Sequence, residues 1–347
     1  MIKTSFQTPH CTAAQFSVLT HTPGTKADQG ATSGALAGGA PVSLLSRIKP
    51  NGPSGFGYGT SADAVTAGLD LRGKNILVTG SNSGIGLETV RVLAARGARV
   101  LAAGRTREKV AAALAGLAGE IVPLECELAS PSSLRACVAA VQAGPRLDAL
   151  IANAGIMASP KLEQVFGYEK QFFTNHVGHF LLVQGLLDHT SDDARFVIVA
   201  SNAHRRAPAR GIELDNLSGE KSYSPWTAYG QSKLANILFA SELSRRLAGS
   251  RRSANALHPG VIHTNISRSM PLPGQLVLAL AAPLALKSPA EGAATQCYVA
   301  THPSLAAVSG EYFADCNIAR TRHPLARDAD LARRLWQETE RIVATLP

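Results

Sequence analysis

The chain has 347 residues, of which 45% are hydrophobic and 17% charged, which excludes a largely disordered protein and supplies material for a core. Lys and Arg outnumber Asp and Glu by 34 to 25, but the basic pairs stand far apart without interleaved aromatic residues, so nucleic-acid binding is not expected. The five cysteines show no CxxC spacing, which disfavours a disulfide framework or a zinc site and favours a reducing, cytoplasmic location. The longest apolar run, residues 276–286, is too short to span a bilayer, so no transmembrane segment is expected.

Residues 1–60 differ in composition from the rest of the chain. They are rich in Ser, Thr, Gly, Ala and Pro, contain one acidic residue, Asp28, and show no helical or strand periodicity. We interpret them as a low-complexity, disordered leader that precedes one domain over residues 61–347. A genuine tail, an organelle transit peptide and an over-extended start site all remain open for this leader, so organelle targeting is not excluded.

From Leu71 onward, short apolar runs alternate with helical patterns. Uninterrupted apolar strands between helices predict an α/β, doubly wound Rossmann fold with a parallel sheet of about seven strands and helices on both faces. The predicted strands cover residues 75–79, 98–103, 120–125, 148–153, 195–200, 255–259 and 311–314. The predicted helices cover residues 84–96, 106–118, 131–142, 162–189 and 226–248, with a mostly helical region up to about residue 300.

A glycine-rich loop, TGSNSGIG, follows the first predicted strand and opens the first of these helices. Gly80 permits the tight turn, Gly84 lets the backbone approach a pyrophosphate, and Gly86 lets helix and strand pack closely. The helix N-terminus then presents free N–H groups to the phosphates. The loop therefore predicts a dinucleotide site formed by Gly80, Ser81, Asn82, Ser83, Gly84, Ile85 and Gly86.

The end of the second predicted strand bears on the choice of cofactor. In NAD-specific sites an acidic residue near this point accepts hydrogen bonds from the ribose 2′-hydroxyl. Here Gly104 occupies that place and Arg105 follows it. Because an arginine pairs well with a 2′-phosphate, the sequence favours NADP, with NAD as the alternative.

Tyr229 and Lys233 are four residues apart and share one face of a predicted helix. A free phenol has a pKa of about 10 and is a poor acid–base at neutral pH, whereas a neighbouring ammonium favours the phenolate. Ser201 ends a predicted strand and Asn175 lies within a predicted long helix. These four side chains are our candidates for chemistry.

With these motifs the chain resembles the classical short-chain dehydrogenase/reductase family over roughly residues 60–340. The features that carry the resemblance are TGSNSGIG (79–86), NAGIM (153–157), Asn175, Ser201, YGQSK (229–233) and HPGVIHT (258–264). The phrase NHVGHFLL and the SxAH continuation from Ser201 are similar to the branch that holds retinol dehydrogenases and protochlorophyllide reductases.

The resemblance implies a catalytic tetrad of Asn175, Ser201, Tyr229 and Lys233. Tyr229 would exchange a proton with the substrate oxygen and Ser201 would hydrogen-bond that oxygen. Lys233 would bind the nicotinamide ribose and lower the pKa of Tyr229, and Asn175 would hold a water that carries the proton onward.

The resemblance also implies cofactor contacts beyond the glycine-rich loop. Glu127 stands where the family usually has Asp, which puts its contact with the adenine amine in doubt. Tyr229 and Lys233 are expected to contact the cofactor as well as to act in the tetrad. Together with Glu127, the remaining expected cofactor contacts are Leu128, Asn153, Ala154, Gly155, Pro259, Gly260, Val261 and Thr264.

We therefore expect an NAD(P)-dependent, NADP-preferring oxidoreductase that interconverts an alcohol and a carbonyl on an apolar small molecule. A catalytically inactive NADP-binding regulator is the alternative, and a light-driven reductase is a third, weaker one. The resemblance further implies that residues 202–226 and 265–290 form the substrate loop and lid, and that the helices over 162–189 and 226–248 are the surface of a homodimer. His176 and His179 lack a third ligand, so we expect them to pack in the core and expect no metal site.

Overall fold

A computed structural model describes Leu45 and residues 48–262 and 286–347. Within these residues an eight-stranded sheet forms the centre of the molecule, and a two-stranded hairpin lies outside it. In chain order the strands are β1 (Asn75–Thr79), β2 (Arg99–Gly104), β3 (Ile121–Glu125), β4 (Leu147–Ala152), β5 (Gln164–Val165), β6 (Tyr168–Glu169), β7 (Thr190–Val199), β8 (Ser253–His258), β9 (Tyr312–Ala314) and β10 (Asn317–Ile318).

The sheet has the order β10-β9-β8-β7-β4-β1-β2-β3. All of its neighbouring pairs are parallel except β9 with the short edge strand β10. The chain runs outward from β1 through β2 to β3 and then returns to β4 on the other side of β1. The crevice at the carboxyl ends of β1 and β4 is therefore the topological switch point, where ligands bind in open α/β sheets.

The helices cover both faces of the sheet. They are α1 (Ala62–Val65), α2 (Gly84–Ala95), α3 (Arg107–Leu114), α4 (Pro131–Gln142), α5 (Lys170–Phe172), α6 (Gly178–Leu186), α7 (Pro225–Arg246), α8 (Pro289–Thr301) and α9 (Ala329–Thr345). Successive residues of β1 point to opposite faces: Leu77 joins the cluster under α4, α6, α7 and α9, and Val78 the cluster under α1, α2, α3 and α8. The predicted doubly wound Rossmann fold is confirmed.

The long helix predicted from residue 162 begins eight residues later. Residues 164–169 form the hairpin of β5 and β6, whose two turn residues, Phe166 and Gly167, have φ of 51° and 82°. Glu169 then caps α5 by accepting hydrogen bonds from the backbone N–H groups of Gln171 and Phe172. Two residues in the left-handed region cannot lie within a right-handed helix. The helical spacing of apolar residues in this stretch therefore predicted too early a start for the helix.

Part of the segment interpreted as a leader contacts the domain. The Ser54 N–H donates to Oδ1 of Asn317 at 3.0 Å, and the Phe56 ring packs edge-on against Tyr298 and His302. Contacts with the domain therefore extend N-terminal of residue 60. The boundary between leader and domain at residues 60 and 61 stays a prediction. None of the described helices is long and apolar enough to cross a membrane.

Candidate active site

The glycine-rich loop joins the carboxyl end of β1 to the start of α2. Gly80 and Gly84 have φ of 73° and 58°, a region that side chains rarely adopt. A Cβ on Gly86 would lie 2.1 Å from the carbonyl oxygen of Gly80, so a side chain has no room there. The side chain of Ser83 makes no capping hydrogen bond, which leaves the first N–H groups of α2 available to an anion. The loop fits the pyrophosphate of a dinucleotide.

A cavity of about 730 Å³ lies against this loop, and we call it the nucleotide cleft. It is formed at the carboxyl ends of β1 to β4. Its lining residues are Gly80, Asn82, Ser83, Gly84, Ile85, Gly86, Gly104, Arg105, Cys126, Glu127, Leu128, Asn153, Ala154, Gly155, Ile156, Thr174 and Pro289. Most of the predicted cofactor positions are therefore brought together around one cavity.

The predicted positions Tyr229, Lys233, Pro259, Gly260 and Val261 do not line this cleft, and Ser81 and Glu127 make local contacts. Ser81 does not line the cleft: it is buried, and its hydroxyl donates to the Val78 carbonyl oxygen at 2.7 Å. Glu127 lines the cleft, but its Oε1 accepts a hydrogen bond from the Ala129 N–H at 3.1 Å. One oxygen of the longer carboxylate is thus directed to the local backbone.

Asn153 connects the two strands at the switch point. Its Nδ2 donates to the Thr79 carbonyl oxygen at 2.8 Å, and its backbone N–H donates to the Thr79 hydroxyl at 2.9 Å. Both bonds hold the carboxyl end of β4 against that of β1. Asn153 therefore fixes the wall of the cleft while lining it.

Tyr229 and Lys233 lie on α7, and Ser201 lies directly after β7. Burial raises the pKa of Tyr229 to about 12, and its hydrogen bond with Ser201 opposes that shift. Burial lowers the pKa of Lys233 to about 8. The Lys233 ammonium, 5.8 Å from the centre of the Tyr229 ring, donates to the Val199 carbonyl oxygen at 3.0 Å. With a pKa of about 12, Tyr229 is a neutral phenol at pH 7 and can donate a proton.

Asn175 lies in a π-helical turn, Phe173–Val177, that joins α5 to α6. Its Oδ1 accepts from the Ile156 N–H at 2.8 Å, and its Nδ2 donates to the Ile156 carbonyl oxygen at 2.9 Å and to the Ser232 hydroxyl at 3.0 Å. A Cβ on Gly155 would lie 2.9 Å from Asn175 Oδ1 and 3.4 Å from Lys233 Nζ. Asn175 is thus buried behind the site and connects α7 to the loop after β4.

A second cavity, of about 520 Å³, adjoins the nucleotide cleft and is lined by Ser201, Tyr229 and Lys233, and we call it the reaction pocket. Ile85, Asn153, Gly155 and Ile156 line both cavities. The rest of its wall is largely apolar. Its other lining residues are Met157, Val199, Ala200, Asn202, Ala203, Arg205, Arg206, Trp226, His258, Pro259, Gly260, Val261, Ile262 and Leu286.

The arrangement of loop, cleft and pocket agrees with comparisons to known proteins. A family described as short chain dehydrogenase matches residues 74–272. The chain belongs to the short-chain dehydrogenase family. It is 40% identical over 300 residues to retinol dehydrogenase 14 of Homo sapiens, across 80% of this chain and 88% of that protein. It is also 40% identical over 312 residues to the short-chain dehydrogenase TIC 32 A, chloroplastic, of Brassica napus, across 85% and 97% of the two chains.

Solved structures agree with this assignment. A crystal structure of an uncharacterized protein from Mycobacterium paratuberculosis matches with a TM-score of 0.66 and 35% identity, across 81% of this chain and 97% of that one. The Pseudomonas aeruginosa RhlG/NADP active-site complex matches with a TM-score of 0.56 and 28% identity, across 71% and 95%. This short-chain dehydrogenase, of the retinol dehydrogenase-like branch, is therefore an NAD(P)-dependent oxidoreductase that acts on CH–OH groups.

The sequence analysis missed some residues of the dehydrogenase's site. Thr174 lines the nucleotide cleft, and its buried hydroxyl has no hydrogen-bond partner among the described residues. Its position next to Asn175 is the only clue to it. Trp226 lines the reaction pocket one turn before Tyr229, and only that spacing could have indicated it. Thr264 and most of the predicted lid, 265–290, lie outside the described residues.

His176 and His179 pack inside the dehydrogenase as expected. His176 Nε2 is 3.0 Å from the Thr339 hydroxyl, and His179 bonds the Thr79 hydroxyl and the Asn175 carbonyl oxygen. Burial lowers their pKa values to about 3 and about 4. The part of the chain that the structure describes contains no group of three or more side chains suited to a metal ion.

Proposed function

We propose that this dehydrogenase prefers NADP and interconverts an alcohol and a carbonyl on an apolar small molecule, with Tyr229 as the proton donor and acceptor. One observation carries the proposal: the pair Ser201–Tyr229 lines a mostly apolar pocket that shares Ile85, Asn153, Gly155 and Ile156 with the nucleotide cleft. A substrate oxygen bound there can contact both hydroxyls at once. The reacting carbon then faces the cofactor side of the site.

The protein's own part is to bind, orient and move a proton, since a nicotinamide cofactor supplies or takes up the hydride when bound. Ser201 holds the substrate oxygen by a hydrogen bond, and Tyr229 gives it a proton in the direction of reduction. Lys233 keeps a positive charge beside the phenol, which stabilises the phenolate left behind. Both amide hydrogens of the buried Asn175 are donated to protein groups, and its Oδ1 accepts from Ile156, so a water held by this side chain would have to donate to the remaining lone pair of Oδ1.

The preference for NADP rests on Arg105. Its side chain is exposed and lines the nucleotide cleft at the end of β2, and it has no ion-pair partner within the described ranges. A free guanidinium at the ribose end of the cleft suits a 2′-phosphate, and no acidic residue occupies the place that would bind a 2′-hydroxyl. The relative solved as an NADP complex supports the same choice.

The experiment that tests the proposed function is a screen of aldehydes, ketones and retinoids, read by consumption of NADPH. We expect turnover of at least one apolar carbonyl compound. Tight binding of NADPH without turnover of any compound in the panel would contradict the proposal and support a cofactor-binding regulator instead.

Location and assembly are further proposals. We propose a cytoplasmic enzyme, and the Brassica napus relative described as chloroplastic supports organelle targeting as the alternative. A fluorescent protein fused after Pro347 would show which compartment the chain reaches. The proposed homodimer would use α6 and α7. Within one chain residues 230–240 of α7 are buried, and Trp336 of α9 packs on Phe180 and Phe239, so a partner would have to contact the ends of these helices or α9 itself. A mass measurement in solution tests it.

A further inference from the structure

The described charged residues that line the reaction pocket are all basic. Among the described residues that line it, Lys233, Arg205 and Arg206 are basic, and no Asp or Glu is present. Burial lowers the pKa of His258, another lining residue, to about 4, so that imidazole is neutral at pH 7. Lys233 serves the chemistry beside Tyr229. The two arginines lie in the turn Asn202–Arg206 after Ser201 and are exposed, so they stand at the solvent side of an otherwise apolar cavity.

Arg206 is held in place by Trp226. The guanidinium carbon lies 4.8 Å from the centre of the indole ring, which is a cation–π contact. Trp226 is 37% exposed and packs edge-on against the Tyr229 ring, with 6.2 Å between the ring centres. Stacking uses the flat face of a guanidinium and leaves its N–H groups free to donate. Arg206 is thus a pre-oriented donor close to the catalytic tyrosine.

Neither pocket arginine is neutralised by a carboxylate in the part of the chain that the structure describes. By contrast, Arg210, four residues beyond Arg206, pairs with Asp215 at 2.7 Å. The positive charge at the pocket therefore has no acidic counterpart among the described residues that line it.

We propose that Arg206, held by Trp226 and assisted by Arg205, binds an anionic group of the substrate. The substrate would then be an amphiphile: an apolar chain with the reacting alcohol or carbonyl at one end and a carboxylate or phosphate at the other. Both anions accept paired hydrogen bonds from a guanidinium. This inference rests on the proposed function, because it names the substrate class of the same site.

The first test compares decanal with its analogue in which a carboxylate replaces the terminal methyl group, using the NADPH-bound enzyme. We expect wild type to favour the carboxylated aldehyde in kcat/KM by about tenfold or more, with a preference that falls as salt is added. In Arg206→Gln the loss should be about tenfold larger for the carboxylated aldehyde than for decanal. Arg210→Gln is the matched control, and we expect it to keep the wild-type preference.

Equal kcat/KM for the two aldehydes in wild type, or an equal loss on both in Arg206→Gln, would overturn the proposal. A binding measurement separates this outcome from failure of the proposed function. By calorimetry, decanoate should bind the NADPH-bound enzyme more tightly than decanol does, and Arg206→Gln should abolish the difference. If decanoate binds more tightly but no carbonyl compound is turned over, the anion site is supported and the proposed reaction is refuted. Equal affinity for decanoate and decanol would refute the anion site.

Trp226→Leu tests the stacking separately from the charge. It keeps both arginines but removes the aromatic face under Arg206, so we expect decanoate to bind less tightly than to wild type. Wild-type affinity for decanoate in this variant would contradict the role given to Trp226.

Discussion

His204 connects the backbone of Ser201 to a loop 118 residues further along the chain. The Arg322 N–H donates to His204 Nε2 at 2.8 Å, so the ring proton is on Nδ1, which donates to the Ser201 carbonyl oxygen at 2.6 Å. Burial lowers the pKa of His204, which keeps this neutral tautomer at pH 7. The imidazole, packed edge-on against Tyr312, therefore sets the position of Ser201, which lines the reaction pocket.

His204→Ala is expected to lower kcat about tenfold through misplacement of Ser201, and to change the Kd for NADPH less than about twofold. The change removes the side-chain bonds to the Ser201 carbonyl and the Arg322 N–H, whereas the Ser201 carbonyl keeps its bond from the His204 backbone N–H at 3.1 Å. We therefore expect stability to fall by only about 1 kcal/mol for each lost bond. His204→Gln, which can both donate and accept, should restore part of kcat. Wild-type kcat in His204→Ala would contradict a positioning role.

Gly86→Ala is expected to weaken NADPH binding by about tenfold or more, because the added Cβ would collide with the Gly80 carbonyl and displace the phosphate loop. Gly144→Ala is the matched control: its Cβ would meet its nearest neighbour, the Val141 carbonyl oxygen, at an ordinary 3.6 Å. Fluorescence titration with NADPH measures both. Equal affinities in the two variants would show that the loop does not hold the cofactor.

Arg105→Ala is expected to raise the Kd for NADPH about tenfold and to leave that for NADH nearly unchanged, because only NADPH carries the 2′-phosphate. Arg107→Ala, an exposed arginine two residues away that does not line the cleft, should change neither constant. A selectivity for NADPH over NADH that survives in Arg105→Ala would refute the assignment of Arg105.

His176 should make the protein sensitive to acid. Burial holds its pKa at about 3, so the unfolded chain binds a proton below about pH 6.5 that the native state does not take up. Stability is then lost as the pH falls from about 7 toward 3, by about 2 kcal/mol from this group at pH 5. In His176→Phe, placed among Phe172, Phe180 and Phe239, the loss of unfolding free energy between pH 7 and pH 5 should shrink by about that amount. Urea denaturation at pH 7 and at pH 5 measures the free energy of unfolding. A loss between the two pH values that is as large in His176→Phe as in wild type would contradict this role of His176.

The parts of the site that depend on short spacings were predictable from the sequence. Tyr229 and Lys233 share a helix face because helical periodicity brings residues four apart together. Gly80, Gly84 and Gly86 stand at the end of the first strand, and the topology of a parallel sheet places that end beside Asn153. The sheet itself followed from apolar runs that alternate with helical patterns, as β1 and β2 show.

Features that depend on long-range contacts or on side-chain direction were not predictable. The bond between His204 and Arg322 exists only because the fold brings the two loops together. Ser81 turns inward to Val78 although its neighbours in the loop line the cleft. The hairpin before α5 depends on left-handed residues at Phe166 and Gly167, which a helical period in the hydrophobic pattern does not reveal.

The most direct test of the account is hydride transfer by Tyr229→Phe, measured in a single turnover with NADPH and a carbonyl substrate found in the screen. We expect the rate to fall by about 10²–10⁴, because the proton donor to the substrate oxygen is lost, while the Kd for NADPH stays within about twofold of wild type. Tyr298→Phe, whose hydroxyl bonds Ser304 away from both cavities, should react at the wild-type rate. A wild-type rate in Tyr229→Phe would contradict the proposed proton donor and with it the proposed mechanism.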